Sequence, residues 1–206
     1  MKKLFIYISL ITLIVSCSKD FSSEIEGYEM MSDYMLSEFT KGAALRTISQ
    51  SGQFQGSDPS GSIVNWILEP HDAEEGGLTD NVEIYLSYNG SFSGRPSTSE
   101  VLFKTISRSE MYDGAVGLPR LDVSLSLSEA LNTMGLSEFG GGDIVNVRYV
   151  LNLTDGRSFS RTNVTGSMTG VYFRSPYLYP LIIGCEQPAG EIAAQAGTYT
   201  INAVDS

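Results

Sequence analysis

Val82, Ile84, Leu86 and Tyr88 alternate with Glu83, Tyr85, Ser87 and Asn89, so one side of this stretch is apolar and the other largely polar. A period of two belongs to an extended strand, whose successive side chains leave opposite faces of a sheet. Leu121, Val123, Leu125 and Leu127 repeat the pattern, and Val145, Val147, Tyr149, Leu151 and Leu153 give its longest run. Weaker strands are expected at Ala43–Ser49, Ile63–Glu69 around Trp66, and Val101–Ser107. A last one is expected in Tyr177–Ile183, starting after Pro180 because proline cannot donate to a ladder. Trp66, Val82, Ile84, Leu86, Val123, Leu125, Val147, Tyr149 and Leu151 are the expected core.

Turn chemistry separates these runs. Asp155-Gly156 has the composition of a type I′ hairpin turn, which would return Val145–Leu153 into a strand beginning near Arg157. Ser128 through Gly135 reads as a short helix, with Ser128 as N-cap and Gly135 as the stop. Short alternating strands with frequent turns and one helix predict an all-β, immunoglobulin-like two-sheet β-sandwich over residues 39–187. Residues 17–38 are an acidic tether with one helical turn near Met30–Leu36, and 188–206 a linker entering a second β module. Tyr199, Ile201 and Ala203 would share one side of that module's first strand.

The start of the chain follows a different pattern. Lys2 and Lys3 precede an apolar stretch, Leu4–Val15, that is shorter than the roughly 20 residues of a membrane-spanning helix. A charged start and a short apolar core define a secretory signal. This one runs into Ile14-Val15-Ser16-Cys17, which resembles the lipobox of bacterial lipoproteins. That resemblance implies cleavage of signal peptide 1–16 and acylation of Cys17. The membrane is then a partner through the lipid, since two acyl chains suffice for stable anchoring.

Removal of residues 1–16 takes away Lys2 and Lys3, leaving 11 basic against 24 acidic residues and moving the formal charge from -11 to -13. Such a chain is unsuited to nucleic acid, whose binding depends on Lys and Arg neutralising phosphates. Catalytic patterns are lacking: His71 is the one histidine, and Gly140-Gly141-Gly142 precedes a strand instead of opening a helix. The expectation is a protein that is not an enzyme and needs no cofactor. Cys185, in an apolar run, reads as a small buried hydrophobe.

Two features are denser than background. Asp72, Glu74, Glu75 and Asp80 place four carboxylates within nine residues, with Gly76 and Gly77 for sharp turning. Hard oxygen ligands of this kind suit calcium. The spacing lacks the alternating Asp-x-Asp-x-Asp order, and a solvated acidic loop is the preferred assignment. The second feature is aromatic. Tyr85 falls on the polar face of its strand and, with Phe92 and Tyr112, is a candidate to stack on a ligand such as a sugar.

Three phrases carry a wider resemblance: KGAALRTI (41–48), LEPHDAEEGGLTDNVEIYLSY (68–88) and VRYVLNLTDGRSFS (147–160). Across residues 37–185 they resemble Bacteroidota-type surface lipoproteins accessory to SusC/SusD-like nutrient uptake systems, of the SusE-like kind. Ser18-Lys19-Asp20 is similar to the export tags of that group. The resemblance implies an outer-membrane location, on the cell surface or the periplasmic face, and binding of a glycan, a peptide or a transporter complex. It transfers no site residue. The rival expectation is a structural or adhesion spacer that binds no ligand.

Overall fold

The computed structural model describes residues 42–185. The signal peptide, Cys17, the tether and its helical turn, and the strand expected at Tyr199–Ala203 lie outside the described residues.

In chain order the strands are β1 (Ala44–Ser51), β2 (Phe54–Gln55), β3 (Ile63–His71), β4 (Thr79–Asn89), β5 (Val101–Ser107), β6 (Tyr112–Asp113) and β7 (Pro119–Ser126). Helix α1 (Leu127–Thr133) follows, then β8 (Ile144–Leu153), β9 (Ser158–Phe159), the single turn α2 (Gly166–Thr169) and β10 (Leu178–Gly184). One sheet runs β1-β3-β7-β6 and the other β2-β10-β8-β4-β5, with β9 paired to β8. Pairing is antiparallel except for β2 against β10. This is the expected all-β two-sheet sandwich. Its strand order is that of immunoglobulin-like domains, with the first strand split so that β1 joins one sheet and β2 the other.

The alternation explains which faces meet. Val82, Ile84, Leu86 and Tyr88 of β4, the odd-numbered positions Val145–Leu153 of β8, and Leu121, Val123 and Leu125 of β7 all point inward and are buried. They form one continuous core with Trp66 of β3, and every expected core residue belongs to it. The removal of this apolar area from water stabilises the sandwich by about 25 cal/mol per Å².

Three local assignments need correction. The N-cap of α1 is Ser126, two residues before the one expected. Ser126 Oγ accepts from the Glu129 amide, and the Glu129 carboxylate accepts from the Ser126 amide at 2.9 Å. This reciprocal box needs Glu or Gln three residues after the cap, and Ser128 has Leu131 there. Gly135 does end the helix, at φ 68°. In the Leu153–Arg157 connection Gly156 has positive φ and Asp155 does not, so the turn is not type I′. Gly156 donates to the Leu153 carbonyl and Leu153 to that of Arg157, a three-residue loop with glycine at the left-handed position. Finally, β10 includes Pro180 instead of starting beyond it. Pro180 pairs with Asn146 on one side only, because β2 reaches no further than Ile183 and Gly184. The missing N–H therefore faces an open edge.

Between β9 and β10, which both pair with β8 in the six-stranded sheet, the connecting segment crosses over to β1 of the other sheet and returns. Met168 and Phe173 pack with Ala44 of β1 in a small second core. The Thr47 amide donates to the Arg174 carbonyl at 2.9 Å, and the Tyr149 amide to that of Tyr177 at 2.8 Å. The Tyr177 hydroxyl donates to the Ala43 carbonyl. The connection is thus fastened to β1 and β8 at once.

Candidate ligand-binding cleft

This crossing segment leaves a cleft of about 540 Å³ between itself, β1 and β10. Ligand pockets commonly measure about 300–1,000 Å³. Strand β1 contributes Thr47 and Gln50, and β10 contributes Leu178, Tyr179 and Pro180. Thr169, Val171, Arg174 and Pro176 come from the crossing segment. Val171 is 94% exposed, a solvent-facing apolar side chain at the rim.

The polar wall is pre-arranged. Thr47 Oγ1 donates to the Arg174 carbonyl at 2.9 Å, which uses its one hydrogen. The contact between Thr47 Oγ1 and the Tyr179 hydroxyl therefore has Tyr179 as donor. Burial raises the Tyr179 pKa, and the nearby Arg174 charge opposes that rise without cancelling it. The phenol stays neutral at physiological pH. Behind it, Trp66, Tyr149 and Tyr179 pack edge to face, with ring centroids 5.5–6.2 Å apart. Trp66 Nε1 and the Tyr149 hydroxyl have no hydrogen-bond partner among the described residues.

Two non-glycine residues of the crossing segment adopt left-handed backbone, Arg174 at φ 51° and Tyr177 at φ 57°. Each such residue costs about 1–2 kcal/mol. The cost is met by the anchoring bonds: the Arg174 amide donates to Gly170 and its carbonyl accepts twice from Thr47. Strain of this kind concentrates where a side chain must be aimed.

Tyr85, Phe92 and Tyr112 are not brought together. Tyr85 projects from the outer face of the six-stranded sheet, in a cross-strand row formed by Leu178, Arg148, Tyr85 and Leu102. The Arg148 guanidinium already lies 4.6 Å from its ring centroid, and its hydroxyl donates to Glu83 at 3.0 Å. Leu178 also lines the cleft, so Tyr85 is two strands away from it along one row. Phe92 is an exposed ring in the β4–β5 connection, packed over Gly142. Tyr112 lies on β6, at the far edge of the other sheet, and donates to Asp122 at 2.8 Å.

The acidic loop is organised around one member. Asp72 is buried, and its carboxylate accepts from the amides of Glu74, Gly76 and Leu78 at 2.9–3.2 Å. Glu74, Glu75 and Asp80 point to solvent, and Asp80 accepts from the Asn81 side chain. No group of three metal-ligating side chains is assembled among the described residues. Cys185 is exposed, a correction to the buried position expected for it, because β10 ends at Gly184.

Thr47, Gln50 and Arg174 went unnoticed in the sequence. The available signal was an arginine inside the aromatic, proline-punctuated phrase VYFRSPYLYP (171–180) of an acidic chain. Comparison with protein-family models and with curated proteins finds no match to this chain.

Proposed function

We propose that this chain is a lipid-anchored accessory protein of a bacterial outer membrane, held by acylated Cys17, that captures a nutrient beside a SusC/SusD-like transporter. The nutrient is a glycan or a peptide. The anchor is supported by the signal pattern ending at Cys17 and the capture role by the cleft. The cleft's pre-arranged hydroxyls, apolar rim and strained, fastened backbone are what a spacer module has no use for. Fold alone does not assign this role, since sandwiches of this order serve many functions.

Two measurements test it. Metabolic labelling with radioactive palmitate should mark the wild-type chain and not Cys17→Ala, and equal labelling of both would remove the anchor. A panel of neutral and charged oligosaccharides and short peptides should include a ligand for the full chain in detergent. Its binding should fall in Val171→Asp, a change at an exposed position with no folding role. Failure of the whole panel would return the protein to the class of spacers.

A further inference from the structure

We infer that the cleft is a carboxylate-recognition site and that Arg174 is the residue that contacts the carboxylate; this rests on the capture role proposed above. The observation behind it is an unpaired guanidinium in a chain with every opportunity to pair it. The protein holds 24 acidic and 13 basic residues. Arg46, Arg95, Arg108, Arg120, Arg148 and Arg157 each sit beside a carboxylate of the chain itself. Among the described arginines and lysines, Lys104, Arg161 and Arg174 do not, and of these three Arg174 lines the cleft.

Its side chain is exposed, and the backbone fixes the point from which it departs. Left-handed φ at Arg174 and three hydrogen bonds to its peptide groups define where the side chain leaves the segment. Guanidinium is the group best matched to a carboxylate, because its planar donors meet both oxygens at once. The rest of the wall specifies what accompanies that carboxylate. Tyr179 spends its hydrogen on Thr47 and keeps an acceptor lone pair for a ligand hydroxyl or N–H. Gln50 offers both donor and acceptor, and Val171, Pro176 and Pro180 give an apolar bed. A carboxylate on a compact, hydroxyl- or amide-bearing body answers this description. An acidic sugar unit and a peptide C-terminus both carry that chemistry.

The net charge of the chain opposes approach of an anion, but beyond about 8 Å it is screened at physiological ionic strength. The local guanidinium then decides the outcome. Calorimetric titration of the full chain in detergent tests this with two matched pairs: trigalacturonate against neutral galactotriose, and Ala-Ala-Ala against its C-terminal amide. The carboxylated member of one pair should bind at least about fivefold more tightly than its neutral partner, the scale of one well-placed charge pair. Which pair responds identifies the source of the carboxylate. Arg174→Gln should abolish the preference and the accompanying salt dependence, and Arg174→Glu should reverse it, both with unchanged melting temperature. Neutral members that bind as tightly as the acids would overturn the carboxylate assignment and leave capture standing. No binding by any of the four would overturn the assignment, and the wider panel above then judges capture separately. The wild-type comparison of acid with neutral needs no variant, so a misfolded mutant cannot rescue the idea.

Discussion

Tyr88 donates its hydroxyl hydrogen to Asp143, a fully buried carboxylate 55 residues further along the chain. The bond joins the end of β4 to the residue that opens β8. Asp143 also accepts from the Ser93 amide at 2.9 Å, the Ser93 hydroxyl at 2.6 Å and the Gly140 amide at 2.8 Å. One side chain thereby holds two connections at one end of the sandwich.

Burial by itself would raise the Asp143 pKa, but the hydrogen bonds from Ser93, Tyr88 and Gly140 outweigh it and hold the pKa below the ordinary 3.8. A carboxylate with a lowered folded pKa stabilises the fold above its unfolded pKa. That stability is lost as pH falls through the lower folded value. Asp143→Ala should cost about 3 kcal/mol or more in urea unfolding at pH 7, because several buried donors lose their acceptor. Tyr88→Phe should cost less, about 1 kcal/mol. A loss in Asp143→Ala no larger than in Tyr88→Phe would show that the carboxylate does not organise this end.

Gly52 and Gly156 share a left-handed backbone and differ in the space around them. A methyl group at Gly156 would meet nothing within 4 Å, whereas one at Gly52 would lie 1.9 Å from the Ile63 carbonyl oxygen. Gly156→Ala should therefore cost only the backbone strain, about 1–2 kcal/mol. Gly52→Ala must also displace β3 and should cost about 3 kcal/mol or more. Denaturant midpoints for the two variants, measured side by side, check the order.

At the end of β3, desolvation, aided by the Arg46 charge, lowers the His71 pKa from 6.5, against the opposing pull of Glu69, Asp72 and Glu75. The unfolded chain then takes up the proton first as pH falls. Stability present above pH 6.5 should decline as pH drops through the folded value. His71→Asn should flatten the decline in stability that sets in as pH falls below 6.5. An unchanged slope would mean that His71 titrates alike in both states.

The long strands were legible because each buries a single face, so the pattern along the chain is the pattern across the sheet. Val82–Tyr88 and Val145–Leu153 are the clearest cases. Strands β2, β6 and β9 span two residues each and have no period to detect. Their existence depends on partners brought from elsewhere. The cleft was illegible for the same reason. Arg174 is placed by a positive φ and by Thr47, 127 residues away, and the segment around it by Phe173 packing on Ala44. The aromatic candidates show the converse limit. The outward-facing position of Tyr85 followed from alternation, but alternation says nothing about Arg148 lying over its ring and leaving it half-buried.

The acidic loop separates two uses of the same composition. Asp72 spends its two oxygens on three backbone amides and, at 3.4 Å, the Thr79 hydroxyl, so the group best placed to nucleate a calcium site is already coordinated by the loop itself. A cation would have to displace those donors and leave buried N–H groups unpaired, at about 1–3 kcal/mol each. Glu74, Glu75 and Asp80 are exposed, and no group of three ligating side chains is assembled among the described residues. Calorimetric titration with calcium should therefore show no micromolar binding. Asp72→Ala should lower stability by about 2–4 kcal/mol whether or not calcium is present, through the loss of the amide acceptor. Glu74→Gln with Asp80→Asn should leave stability within about 0.5 kcal/mol, as surface changes do. Micromolar binding that disappears in that double variant would assign the loop to calcium after all and make Asp72 a ligand instead of a turn.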